Sequence, residues 1–158
     1  MTAQMSDRIW IDDEYKPLMF WGWPFPPEVR LTKGCYFQGS TTATQRGFSS
    51  TWRVADGRLF LESFGGTVRC FGSNDERRVS KQTFLLGVEP TFAHWINQTF
   101  RIGMGAVVGY SHGGSGYKYD KLRHLHVKKG LISRDEIISN TEVSEEDKAT
   151  YRKHGNPW

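Results

Sequence analysis

The sequence predicts a mostly β, β-rich α+β fold: an antiparallel meander sheet or half-barrel with one short helix near the C-terminus. Three observations predict it. Residues 45–64, QRGFSSTWRVADGRLFLESF, carry strand-like runs on either side of Asp56-Gly57. A type I′ hairpin turn needs positive φ, which Gly tolerates. The aromatic fraction is 14%, alongside 17 Gly, a composition that favours strands and turns over a helical bundle. No long stretch repeats apolar residues with the 3.6-residue period of an amphipathic helix. At 158 residues the chain is expected to form a single β-rich domain, 1–158, with 139–158 a weakly ordered tail or short helix. That length buries a core without help from disulfides or metals.

In chain order, residues 8–11 form a short strand, Asp12-Asp13-Glu14 its turn, and 15–18 the return. Residues 21–27, WGWPFPP, cannot be a central strand or a helix interior, because three prolines remove backbone donors and fix φ. They are expected as an extended piece of chain whose aromatics cover an open end of the core. Tyr36-Phe37 belongs to another strand, and 39–44 is a polar connector. In the central hairpin, Trp52 and Val54 face 59–61, and 67–71 adds a third strand. The charged run 72–81 reads as a loop. Residues 92–96 are a helical turn or a buried connection. Strands follow at 99–102 and 106–110, separated by a turn at 103–105. Beyond the glycine-rich loop 111–116 come a long strand at 119–127, a turn at 128–130 and a last strand at 131–138. Ser144, with Asp147 three residues on, starts a short helix with too few apolar residues to dock strongly. The expected core includes Trp52, Leu59, Leu61, Trp95, Ile102, Val108 and Val127.

The net charge is +4, too mild to imply nucleic acid by itself. Lys118, Lys121, Arg123, Lys128, Lys129 and Arg134 gather in one stretch, against acidic groups at Asp12, Asp13 and Glu14 and in the tail. No apolar run approaches the roughly 20 residues of a membrane-spanning helix. The first ten residues lack the basic start and apolar stretch of a signal peptide, so the expected compartment is the cytoplasm. Cys35 and Cys70 are accordingly expected as buried, reduced thiols.

Motifs for chemistry are sparse. His124 and His126 have strand spacing and share a face, and His112 sits at the mouth of the glycine loop. Such a set could hold a metal, or provide an acid/base pair for RNA cleavage beside Lys121 or Arg123, but nothing in the spacing fixes a further ligand. The glycine loop lacks Gly-Lys-Ser/Thr and precedes a strand, which excludes a phosphate loop. No catalytic residue, cofactor or metal is therefore assigned. Tyr117, Tyr119, Lys121 and Arg123 alternate in the pattern of a single-stranded nucleic-acid surface, the alternative function.

Arg46-Gly47-Phe48, Thr51-Trp52 and the run Asp56-Gly57-Arg58-Leu59-Phe60-Leu61 are followed by Ala93-His94-Trp95 and Arg101-Ile102. Then come Tyr110-Ser111-His112-Gly113-Gly114, the strand 119–127, Gly130 and Leu131-Ile132. Over roughly 45–133 this series resembles small bacterial polymorphic-toxin immunity proteins, in particular the immunity partners of contact-dependent growth inhibition toxins. His94 stands where the pattern has an acid. The resemblance implies a mostly β cytoplasmic protein that binds and neutralises a cognate toxin, the C-terminal domain of a larger protein, without catalytic residues of its own. The candidate contact residues are Asp12, Asp13, Glu14, His112, Tyr117, Tyr119, Lys121 and Arg123.

Overall fold

The computed structural model describes residues 6–20, 22–39, 41, 45–111 and 116–154. They form a ten-stranded sheet and one α-helix. The strands are β1 (Asp7–Ile11), β2 (Glu14–Met19), β3 (Cys35–Phe37), β4 (Phe48–Ala55), β5 (Arg58–Cys70), β6 (Glu76–Ser80), β7 (Thr91–Phe92), β8 (Gln98–Ser111), β9 (Gly116–Lys128) and β10 (Leu131–Ser139). Helix α1 is Glu145–His154. The β-rich architecture with a short C-terminal helix is thus as expected.

The strand order is β10-β9-β8-β2-β1-β4-β5, and β3, β6 and β7 also pair with β5. The sheet then closes on itself. Leu131 of β10 pairs with Arg58 of β5. Leu59 N–H donates to Gly130 O at 2.8 Å, and Ile132 N–H to Gly57 O at 2.9 Å. One pairing, β1 with β4, is parallel. The turns Asp12-Asp13, Asp56-Gly57 and Lys129-Gly130 all have positive φ at both residues, the geometry that matches the twist of hairpin strands.

Trp52 is fully buried at the centre. Its ring meets Phe20 and Phe100 edge-on at 5.3 and 5.2 Å, and its indole N–H donates to Ser50 Oγ at 2.9 Å. Leu59, Leu61, Ile102, Val108 and Val127 are buried as predicted. Trp95 is only partly buried and packs on the core's margin, because its indole reaches out to donate to Pro24 O. The proline-rich segment covers the core as expected. Phe25 is buried against Phe64 and Phe84, each at 4.5 Å. Trp21 lies outside the described residues.

Several elements differ from expectation. Residues 103–105 are not a turn: β8 runs through them, with register shifts between Met104 and Gly109. The ring of Tyr119 lies where a Cβ on Gly103 would be, so this glycine makes room rather than a bend. The run 67–71 is mostly the far end of the 13-residue β5. The charged run 72–81 contains β6, an exposed strand whose polarity reflects solvent on its surface. Cys35 and Cys70 are directly opposite in the β3–β5 ladder and form a disulfide, not the free thiols expected. The helix is better anchored than its composition suggests. The Ser144 hydroxyl caps Asp147 N–H, and the buried Lys148 donates to Ser139 Oγ and Glu145 Oε1.

A buried ion pair joins the first strand to the start of the central hairpin. The Asp7 carboxylate, with no exposed side-chain surface, accepts from Arg46 Nη2 at 2.8 Å and Nη1 at 3.1 Å, and from Ser50 N–H at 2.8 Å. Arg46 Nη1 also donates to Phe20 O. Removing one partner would leave an uncompensated buried charge. Arg46→Met is therefore expected to cost about 3–5 kcal/mol in chemical denaturation. Trp52→Ala is expected to cost about 3–5 kcal/mol through lost burial and the cavity left; a cost under about 1 kcal/mol would contradict the core described.

Candidate functional site

The structure divides the expected contact residues. Asp12 and Arg123 meet in an ion pair, and Arg123 also forms a fork with Asp135, donating at 2.9 and 2.7 Å. This fork holds the Asp135 carboxyl below its ordinary range. Glu14 pairs with Lys16 at 2.8 Å. Asp13 is exposed beside them in the β1–β2 turn. Tyr117 and Lys121 are exposed, with the Tyr117 ring edge-on to Tyr110 at 5.4 Å. Tyr119 lies against Gly103, and burial pushes its hydroxyl's pKa up. His112 lies outside the described residues. The alternating basic-aromatic row thus loses its strongest cation to two carboxylates and one aromatic to intramolecular packing.

A different grouping forms across β8, β9 and β10. Cross-strand pairing puts Arg101 and Glu136 on either side of His124, and Thr99 and Arg134 on either side of His126. These partners share one face, because directly opposed residues in antiparallel ladders do. Core residues Leu125 and Val127 alternate with the histidines and point the other way. His126 Nε2 is 3.0 Å from Glu136 Oε1, and its Nδ1 is 2.9 Å from Thr99 Oγ1. Arg134 donates to the other Glu136 oxygen at 2.7 Å. His124 Nε2 is buried with no hydrogen-bond partner among the described residues, an arrangement that ordinarily costs about 1–3 kcal/mol. Burial, then the positive Arg101 and neighbouring His126, lower the His124 pKa. One ligand atom from each of His124, His126 and Glu136 lies within 4.8 Å of the other two.

Strand β10 contributes a second feature. Among the described residues it pairs with β9 along one side and meets β5 only at Leu131. Most of the strand is exposed, including Ile137 at 55% and Ile138 at 39%. Compared with known proteins, the chain matches no family model, no curated protein and no solved structure. The site is therefore argued from its own geometry.

Sequence reasoning found the histidine pair but missed Glu136, Ile137 and Ile138. Counting back from the two-residue turn at Lys129-Gly130 places Asp135 opposite His124. A register shift between Ile132 and Arg134 moves Glu136 there instead. Nothing in the residues themselves marks that shift.

Because the His124 pKa is lower in the folded state, its neutral form favours folding. This contribution is present above the unfolded value of about 6.5 and is lost as pH falls through the folded value. The groups bearing on the ring are Arg101 on β8, His126 on β9 and Glu136 on β10. In chelator-treated protein, an NMR titration is expected to place His124 below the ordinary imidazole midpoint. A midpoint at or above it would contradict the burial described.

Proposed function

We propose that the protein acts by protein–protein contact, as an immunity protein that binds and neutralises a cognate bacterial toxin, using the open edge of β10. The observation that carries this reading is the edge itself. Beyond the closure at Leu131, the strand has no neighbour on one side among the described residues and exposes Ile137 and Ile138. Exposed edges of this kind accept a strand from another chain, with main-chain hydrogen bonds supplying affinity and adjacent side chains specificity. The sequence resemblance over roughly 45–133 supplies the partner class, a toxin C-terminal domain.

The absence of an assigned catalytic group in the sequence reading also favours binding over chemistry. The alternative, a single-stranded nucleic-acid surface on Tyr117, Tyr119, Lys121 and Arg123, is less favoured. Arg123 is engaged by Asp12 and Asp135, and Tyr119 by Gly103. The proposal places the protein in the cytoplasm.

Co-expression with the toxin domain encoded by a neighbouring gene tests the reading. The chain is expected to relieve growth arrest and to form a complex at micromolar concentration. Failure of both would sink the immunity reading for that pair. Ile137→Arg with Ile138→Glu, both on exposed positions, is expected to abolish protection while changing stability by only about 0.5 kcal/mol per site. Full protection by this double variant, with folding intact, would remove β10 from the interface.

A further inference from the structure

We propose that His124 and His126 of β9 and Glu136 of β10 form a binding site for a divalent transition metal of the Zn²⁺ type. Two independent observations carry the proposal. The first is convergence: three potential ligands from two adjacent strands offer atoms within 4.8 Å of one another. Ligands about 2.1 Å from a tetrahedral zinc stand roughly 3.4 Å apart. The spacing present is therefore close enough for small side-chain movements to complete the site. The second is the buried Nε2 of His124, which has no hydrogen-bond partner among the described residues. A bound cation would give this nitrogen a partner.

The surroundings suit the role. Metal-binding imidazoles usually use their second nitrogen for a hydrogen bond that sets tautomer and ring orientation. Thr99 Oγ1 stands 2.9 Å from His126 Nδ1, and a hydroxyl can donate or accept there. Without metal, a Nε2–H of His126 can donate to Glu136 Oε1 at 3.0 Å, while Nδ1 accepts the Thr99 hydroxyl. On metal binding Nε2 gives up its proton and Nδ1 takes one from solvent, so the imidazole stays neutral. Nδ1 then donates to Thr99. Arg134 holds Glu136 Oε2, leaving Oε1 directed to the imidazole side.

The donor set also selects the ion. Two imidazoles and one carboxylate suit zinc and its neighbours, whereas magnesium and calcium require predominantly oxygen ligands. Arg101 and Arg134 add positive charge nearby, although Arg101 is paired with Glu142 at 2.9 Å. They oppose a bound cation; the Glu136 carboxylate is the one ligand whose charge offsets them, and the two neutral imidazoles contribute ligand bonds rather than charge. Such an ion would join β9 to β10 along the strand that also carries the open edge. The metal proposal nevertheless stands on its own residues, and its failure would leave the toxin-binding reading untouched.

The test uses the whole 158-residue chain, tag-free and stripped with a chelator. Calorimetric titration with Zn²⁺ is expected to show one equivalent bound, and Co²⁺ to give the visible absorption bands of a low-coordinate site. His126→Ala and Glu136→Gln are each expected to weaken Zn²⁺ binding at least about 10-fold. Thr99→Val should weaken it roughly 10- to 100-fold through loss of the orienting hydrogen bond. Zn²⁺ should raise the melting temperature of the native chain, because it binds the folded state, and should not do so for Glu136→Gln. Circular dichroism of the metal-free variants checks that each folds. His124→Ala adds a third ligand test. No saturable Zn²⁺ binding would overturn the proposal. Undiminished binding by both folded His126→Ala and Glu136→Gln would also overturn it, assigning the ion to histidines elsewhere in the sequence.

Discussion

The closure between β5 and β10 is the constraint on which the remaining geometry depends. It rests on backbone groups around two tight turns. Gly130 accepts from Leu59 and donates to Ile96 O, while Gly57 accepts from Ile132. Gly130 has φ +77° and lies so close to Ala93 O that a Cβ would be 2.7 Å from it. Both the dihedral and this approach exclude an ordinary side chain. Once these strands meet, the odd-numbered Leu125 and Val127 face the core containing Trp52, and the even-numbered His124 and His126 face outward. Burial of a core and display of a histidine pair are two results of one alternation.

The same closure is brief. After meeting β10 at Leu131, β5 continues into pairings with β7, β6 and β3. Among the described residues, strand β10 is left with an unpaired side over its later residues. The open edge is therefore a consequence of how far β5 extends and where it turns. Its proximity to the His124–His126–Glu136 group follows from the β9–β10 ladder. The buried polar groups solve a different problem: Asp7–Arg46 joins β1 to the central hairpin, and Lys148 anchors the terminal helix at the end of β10. These contacts fix the ends of strands, where apolar burial alone would leave their arrangement less restricted.

Much of the fold is legible because its turns have strong local chemistry. Asp56-Gly57 and Lys129-Gly130 mark hairpins directly, and Ser144 marks the terminal helix. Glycine misleads where it serves packing: Gly103 gives space to Tyr119 within a continuous strand. Charge misleads at β6, because a strand exposed to water need not look apolar. The expected compartment points to free thiols, whereas the register of β3 and β5 sets Cys35 opposite Cys70. At the candidate site, the histidine spacing is visible in one strand, but the third ligand depends on a register shift in another. Likewise, no local sequence signal tells that β10 lacks a second neighbour.

Residue-resolved amide hydrogen exchange of the isolated chain tests the closure and the open edge together. Leu59 and Ile132 N–H are expected to exchange slowly because their hydrogen bonds close the sheet. Along β10 beyond the register shift, amides directed towards β9 should be slow, and the alternating amides directed away from it should be fast. Slow exchange at Leu59 and Ile132 with this alternation supports the described arrangement. Fast exchange at both closing amides, or equally slow exchange along all of β10, would contradict it.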